Sequence, residues 1–176
     1  MAFEECAFQT ERIAVAEWRI DPPADLPARV ATVLTEATTQ FLPPEWQGDY
    51  SEDRARSWIA DRGSDGETLL VTDAATGVTV GLVILFAEAR PSTPALVDVR
   101  LGYVLAEAYW GRGLASELVA GLVTWCRAES TIGSLAGGVE VSNRASARVL
   151  TKNGFVLVEP ADGGPPGEEL YRLDLS

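Results

Sequence analysis

Polar and apolar positions divide this 176-residue chain into segments with strand-like and helix-like spacing. Partial alternation from Thr10 to Asp21 predicts a first strand, and an apolar stripe further on predicts a helix that ends near Gln40. The next loop carries Phe41 and Trp46, two aromatic side chains that we expect to be buried, and a second short helix begins at Ser51. These two helices are a candidate wall of a substrate cleft, although plain core packing explains each aromatic residue at least as well.

The second half of the chain alternates strands with helices. A hairpin is predicted around residues 74–77, and its second strand, Val78–Phe86, is almost continuously apolar, which is typical of the middle of a sheet. The later elements are a strand from Val97, a helix to about Ala128, a strand at residues 134–141, a helix ended by Gly154, and two final strands. The order βααβββαβαββ, without repeats or a long linker, predicts one mixed α/β domain over residues 1–176.

The stretch from Val97 to Ala115 is the most informative part of the chain. It predicts a strand, a loop that contains Gly111-Arg112-Gly113, and then an amphipathic helix. Unpaired N–H groups at a helix N-terminus, together with the helix dipole, form a binding site for phosphate. On this short pattern alone, a tight turn without a ligand is an equally good interpretation. A P-loop nucleotide enzyme is a poor interpretation, because no Gly-Lys-Ser/Thr follows the turn.

Composition narrows the classes of function. The net charge of -12 disfavours nucleic acid as a partner and would attract a cationic amine, although solubility alone is the simpler explanation of the acidity. The chain has no histidine, so the usual zinc ligand sets and a histidine base are excluded, and we expect no metal. Cys6 and Cys126 lack CxxC spacing and are expected to be reduced thiols. No apolar run has the length of a signal peptide or a membrane span, so we expect a cytoplasmic protein that binds no membrane.

Three segments carry a family resemblance: TERIAVAEWR, LGYVLAEAYWGRGLASEL and SNRASARVLTKNGF. Together they resemble the GNAT superfamily of acyl-coenzyme A-dependent N-acyltransferases, particularly the branch of the ribosomal-protein-alanine acetyltransferases. The resemblance covers most of the chain. It implies an α/β (α+β) fold with a mixed, mostly antiparallel central sheet, splayed fourth and fifth strands and flanking helices. It also implies acetyl-CoA as cosubstrate and, as in many relatives, a homodimer.

The resemblance assigns cofactor contacts to two parts of the chain. The pantetheine arm would pair with the backbone of Tyr103, Val104 and Leu105. The pyrophosphate would bind the backbone amides of the loop and the helix start, namely Trp110, Gly111, Arg112, Gly113, Leu114, Ala115 and Ser116. Asn143 matches the family asparagine that contacts pantetheine, and Ser146 lies on the same helical face. Helix capping alone is the alternative role for Asn143.

Three positions depart from the family pattern. Trp110 occupies a loop position that is commonly Arg or Gln. Leu150 stands where many members have a Tyr that protonates the leaving thiolate, and Arg100 stands where this branch often has Glu. The cofactor site is therefore predicted to be intact, whereas the catalytic residues are not fixed by the resemblance.

Candidate catalytic residues follow from what acyl transfer requires. An amine nucleophile needs a route for its proton, and the leaving thiolate needs a proton donor. Glu88, just past the end of the central strand, ranks first as the general base and Asp98 second, while Ser146 or a water molecule is the candidate acid. Asp98 and Arg100 share one face of their strand and could simply pair with each other, and a solvated charge is the alternative for either carboxylate.

The resulting hypothesis is acetyl transfer to a primary amine by direct attack in a ternary complex. The amine would be a protein N-terminus or a small molecule, since the segments that would build the acceptor pocket carry no motif. The alternative is an acyl-CoA-binding sensor or interaction module without transferase activity. That alternative is motivated by the missing Tyr and Glu described above.

Overall fold

A sheet of eight strands organises the fold in a computed structural model that describes residues 6–19, 22–62, 66–159 and 164–175. The strands are β1 (Ala7–Gln9), β2 (Ile13–Glu17), β3 (Glu67–Asp73), β4 (Thr79–Ala89), β5 (Val97–Leu105), β6 (Ile132–Glu140), β7 (Val156–Val158) and β8 (Glu168–Asp174). The helices are α1 (Leu26–Val33), α2 (Glu36–Thr39), α3 (Glu52–Arg62), α4 (Leu114–Ala128) and α5 (Arg144–Lys152). The strand order is β1-β2-β3-β4-β5-β6-β8-β7. The predicted mixed α/β fold with a mostly antiparallel sheet is confirmed.

The N-terminal strand differs from the prediction. Residues expected to form one strand from Thr10 instead begin with a turn that joins β1 to β2, and the two strands pair antiparallel. The turn is closed because the Thr10 N–H donates to the Ile13 carbonyl at 2.8 Å. The local hydrogen bond competes successfully with strand continuation. The end of the predicted strand, Ile20 and Asp21, lies outside the described residues.

The first predicted helix is also wrong in its length, since the chain breaks it into α1 and α2. Leu34 and Thr35 both have extended backbone angles, and the Thr35 hydroxyl accepts the N–H of Thr38 at 3.3 Å. This capping box starts a new helix. Trp46 is buried as expected, whereas Phe41 is 40% exposed and was wrongly predicted to be buried.

The centre of the sheet contains β4 and β5. β4 continues to Ala89, so Glu88 lies within the strand and not just past its end, which corrects the predicted boundary. β5 pairs with β6 in parallel from Val97 to Arg100, and the register ends there although β5 continues to Leu105. β5 and β6 are the predicted fourth and fifth strands, and their numbers are higher by one because β1 precedes the predicted first strand. The end of their pairing is in keeping with the splay that the family resemblance implies.

The described residues group into two compact units. The first unit comprises the described part of residues 5–84 together with Tyr103–Leu114, and the second comprises Leu85–Gly102 and the described part of residues 115–176. Each unit has its own fully buried side chains, such as Val30, Trp58 and Leu69 in the first and Leu118, Leu135 and Leu150 in the second. Within the described ranges, no helix is long and apolar enough to cross a bilayer. Cys6 and Cys126 are buried and form no disulfide, as expected.

Candidate functional site

The loop between β5 and α4 is shaped by two glycines. A short 3₁₀ helix, Glu107–Tyr109, leads out of β5, and Gly111 and Gly113 then adopt φ angles of 71° and 76°. This left-handed conformation is costly for residues with a Cβ atom and accessible to glycine. Leu114 begins the 15-residue helix α4, whose first N–H groups have no carbonyl partner within the helix. The loop therefore joins a glycine turn directly to a helix N-terminus.

Trp110 fastens this loop to the end of β5. Its indole Nε1 donates to the Leu105 carbonyl at 2.8 Å, although the side chain is 47% exposed. The departure from a polar residue at this position thus has a local structural role. Arg112 lies over the ring of Tyr109, with its guanidinium carbon 5.5 Å from the ring centroid.

The end of β5 is packed closely against β4. A Cβ atom on Gly81 would lie 2.5 Å from both the Val104 carbonyl oxygen and Leu105 Cδ2, so only glycine fits at this position. The Ala106 N–H donates to the Val80 carbonyl at 3.0 Å. On one side of this segment, β4 therefore provides a hydrogen-bond partner for the backbone. The Leu105 carbonyl accepts the indole N–H of Trp110, and the backbone N–H groups of Val104 and Leu105 stay the predicted donors to a thioester carbonyl.

Asn143 and Ser146 occupy the start of α5. Asn143 is the N-cap, and its Oδ1 accepts the Ser146 N–H at 3.2 Å, so capping is one role of this residue and the contact with pantetheine stays a prediction. Asn153 at the other end of α5 donates from Nδ2 to the Ser116 carbonyl at 3.3 Å, which ties this helix to the first turns of α4. Leu150 is buried and carries no hydroxyl, so the family's tyrosine has no substitute at that position.

Glu88 forms an ion pair with Arg100. Glu88 Oε1 lies 3.0 Å from Arg100 Nε, and the two side chains are 55% and 51% exposed. Arg100 therefore pairs with Glu88 and not with Asp98, which corrects one of the pairings considered above. The carboxylate of Glu88 is accessible, as a base that meets an incoming amine must be.

Asp98 is surrounded by donors. Arg90 Nε donates to Asp98 Oδ1 at 3.0 Å, the buried Ser134 hydroxyl donates to the same oxygen at 2.6 Å, and Arg172 Nη2 lies 3.5 Å from it. Burial by itself would raise the pKa of Asp98, but the hydrogen bonds from Arg90 and Ser134 and the nearby arginine charges outweigh burial and lower that pKa. A carboxylate held in this state favours a structural ion pair over a general base.

The family is decided by a sequence match over most of the chain. Residues 12–156 match the family model described as an acetyltransferase (GNAT) domain. The chain belongs to the GNAT acetyltransferase family. No curated protein matches the sequence closely enough to count as a relative.

Solved structures of acetyltransferases share the fold of this chain. An acetyltransferase of the GNAT family from Bacillus anthracis is 16% identical and has a TM-score of 0.71, with 94% of this chain and 95% of that chain covered. RimL, a ribosomal L7/L12 alpha-N-protein acetyltransferase in complex with coenzyme A, is 18% identical with a TM-score of 0.72 and the same coverage. An acetyltransferase from Agrobacterium tumefaciens is 24% identical and has a TM-score of 0.66, with 98% of this chain and 96% of that chain covered.

The candidate site residues of this GNAT domain fall in both compact units. The first unit contains the strand end and the loop through Leu114, whereas the second contains the remaining candidates, namely Glu88, Asp98, Ala115, Ser116, Asn143 and Ser146. Among the described residues, no group of three or more Cys, Asp or Glu side chains is arranged to hold a metal ion. Sequence reasoning missed Arg12, which contacts the loop from the turn between β1 and β2. No local signal marks that arginine, because its partner lies 100 residues away.

Proposed function

We propose that this GNAT domain transfers an acetyl group from acetyl-CoA to a primary amine by direct attack in a ternary complex. The observation that carries the proposal is the loop at Gly111–Gly113. Two left-handed glycines precede the N-terminus of α4, and this is the arrangement that exposes backbone N–H groups to a diphosphate. The family match over residues 12–156 supports acetyl transfer as the reaction.

The proposed chemistry requires two proton transfers. The amine nitrogen attacks the thioester carbon, a C–N bond forms, and the C–S bond breaks as the tetrahedral intermediate collapses. Backbone N–H groups at Val104 or Leu105 would stabilise the developing oxyanion. Glu88 would accept the proton that leaves the amine, and Ser146 or water would protonate the thiolate. Asp98 remains a less favoured base, since its oxygen already accepts hydrogen bonds from Arg90 and Ser134.

The acceptor class remains a choice between a protein N-terminus and a small amine. RimL, by its name, acts on the α-amino group of a ribosomal protein, and its likeness to this chain extends to the fold. We retain both acceptor classes. Further parts of the proposal are a single domain over residues 1–176, a cytoplasmic location, assembly as a homodimer, and no nucleic-acid partner.

One assay separates the enzyme from the binding module. Release of free thiol from acetyl-CoA is measured with a panel of small amines and with peptides that carry free N-termini, alongside thermal unfolding with and without CoA. The proposal expects amine-dependent thiol release and a rise in Tm with CoA. A rise in Tm without thiol release on any amine would instead support the sensor or interaction module. If CoA does not raise Tm and no thiol is released, the cofactor assignment is wrong.

A further inference from the structure

Arg12 contacts the glycine loop from a distant part of the chain. Arg12 lies in the turn between β1 and β2, and its Nη1 donates to the Arg112 carbonyl at 2.9 Å. A Cβ atom on Gly113 would lie 3.7 Å from Arg12 Nη2, so the guanidinium lies directly beside that glycine. Both residues belong to the same compact unit. The contact therefore bears on the peptide group between Arg112 and Gly113.

The direction of one carbonyl fixes the direction of one N–H. The peptide bonds of the described chain include no cis bond, and in a trans peptide the C=O and the following N–H point in opposite directions. When Arg12 holds the Arg112 carbonyl, the Gly113 N–H is turned away from Arg12. Rotation of the whole peptide group would reverse both and present a carbonyl oxygen where the N–H had been.

Gly113 does not prevent that rotation by itself. Rotating the peptide changes ψ of Arg112 and φ of Gly113, and glycine populates positive and negative φ almost equally. The Arg112 side chain contacts the ring of Tyr109, so it is not the group that holds the Arg112 carbonyl. A hydrogen bond from outside the loop is thus the feature that selects one of the two orientations.

We propose that Arg12 is a positioning residue that holds the Arg112–Gly113 peptide with its N–H directed at the cofactor's diphosphate. This inference rests on the proposed function of the loop. An inverted peptide would direct a carbonyl oxygen at an anion, which replaces a favourable hydrogen bond with electrostatic repulsion. Arg12 thereby contributes to cofactor affinity through the backbone and without any requirement to touch the phosphate.

The test compares acetyl-CoA with S-acetylpantetheine, which has the same thioester but no diphosphate. In R12L we expect kcat/KM for acetyl-CoA to fall about tenfold, through KM, because a charge-assisted hydrogen bond is lost. The kcat at saturation and kcat/KM for S-acetylpantetheine should stay within about twofold of wild type. R12K, which keeps a donor of similar reach, should recover part of the loss.

Arg29 provides a matched control. Arg29 Nη1 donates to the carbonyl of Gly77, another left-handed glycine, at 3.1 Å in the hairpin turn between β3 and β4. R29L removes a similar contact in the same unit and should leave the ratio of the two kcat/KM values unchanged. Equal losses on both cosubstrates, an unchanged ratio in R12L, or no recovery in R12K would overturn the inference.

Failure of the proposed function would be visible separately. If the wild-type protein does not bind CoA in calorimetry, the cofactor assignment fails before Arg12 is tested. If wild type binds CoA and R12L binds it equally well, only the role of Arg12 is wrong. Thermal unfolding is measured for every variant, and R12Q is used in the same way if R12L does not fold.

Discussion

The two ends of β5 are built in opposite ways. From Val97 to Arg100 the strand pairs with β6, and its polar side chains are engaged, with Asp98 bound by two arginines and a serine and Arg100 bound to Glu88. From Tyr103 to Leu105 the strand has left the β6 register, and it leads into a loop in which two glycines hold the backbone open. We call Val97–Arg100 the side-chain end, because ion pairs and hydrogen bonds of its side chains hold it in the fold. We call Tyr103–Leu105 and the loop that follows the backbone end, because the glycine conformations there determine where the backbone polar groups point.

This difference predicts which property each end controls. Substitutions at the side-chain end should change stability, because they remove ion pairs and hydrogen bonds within the fold. Substitutions at the backbone end should change cofactor affinity, because the groups concerned are N–H donors whose direction depends on glycine conformation. Glu88 is the exception to test first, since it belongs to an ion pair of the side-chain end and is also the favoured base.

The largest expected effect is on turnover in E88Q. Loss of a general base lowers kcat by about 100-fold or more, while the affinity for acetyl-CoA should remain near wild type. R100Q is the matched control, because it breaks the same ion pair and retains the Glu88 carboxylate. Steady-state kinetics with the best acceptor measures both. A kcat near wild type in E88Q, or an equal loss in R100Q, would exclude Glu88 as the base. The ion pair with Arg100 would then be its role.

The next effect is on cofactor affinity in G111A. Gly111 and Gly77 share φ angles of 71°, and at both positions a Cβ atom would meet no protein atom within 4 Å. G111A and G77A should therefore lose similar stability, about 1–2 kcal/mol each, from the left-handed backbone alone. Only G111A should weaken CoA binding in calorimetry, by about 30-fold, which is about 2 kcal/mol. Equal affinities in the two variants would show that the loop does not bind the cofactor.

The third effect is on stability in D98N. We expect the free energy of unfolding at pH 7 to fall by about 2 kcal/mol, because the variant leaves Arg90 and the buried Ser134 without their charged acceptor. D174N is the control, since Asp174 pairs with Arg172 at 3.0 Å but is 68% exposed, and its loss should be below about 1 kcal/mol. CoA affinity should change little in either variant.

The pH dependence gives the D98N prediction a second measurement. The pKa of Asp98 is lowered in the fold, so the unfolded state takes up the proton first as the pH falls. The stabilisation is therefore complete above the unfolded pKa of about 4 and is lost as the pH falls through the lower folded pKa. Denaturant unfolding should show that wild type and D98N converge below about pH 4. A constant difference over that range would contradict the ion-pair account.

Signals from neighbouring residues in the sequence explain why the glycine loop after β5 and the two ends of α5 were predictable. The conformations of Gly111 and Gly113 depend on residues next to them, and so do the Asn143 cap and the C-terminal Gly154, which has a φ of 87°. Residue type and position indicated a glycine turn before the helix, a cap at Asn143 and a helix end at Gly154, but not the φ angles of the glycines. The succession of elements from β3 to β8 followed from hydrophobic periodicity, and the mixed, mostly antiparallel sheet followed from the family resemblance.

Contacts between distant residues explain what was missed. The partners of Asp98 lie 8, 36 and 74 residues away, so the sequence suggested its neighbour Arg100 as the partner. The break between α1 and α2 was missed for a different reason, since a Thr35 capping interaction overrode a continuous apolar stripe.

The smallest effect is expected at the junction of strand and loop, in W110F. Phenylalanine retains an aromatic ring but loses the indole donor to the Leu105 carbonyl, a hydrogen bond of 2.8 Å. CoA affinity should fall about threefold, or less than about 1 kcal/mol, because one neutral hydrogen bond is lost at a half-exposed side chain. W110L removes the ring as well, so a similar loss in both variants assigns the effect to the hydrogen bond, whereas a loss in W110L alone assigns it to the ring. Full affinity in both would mean that the glycines and Arg12 hold the loop without Trp110, and the backbone end of β5 would then depend on no side chain of its own loop.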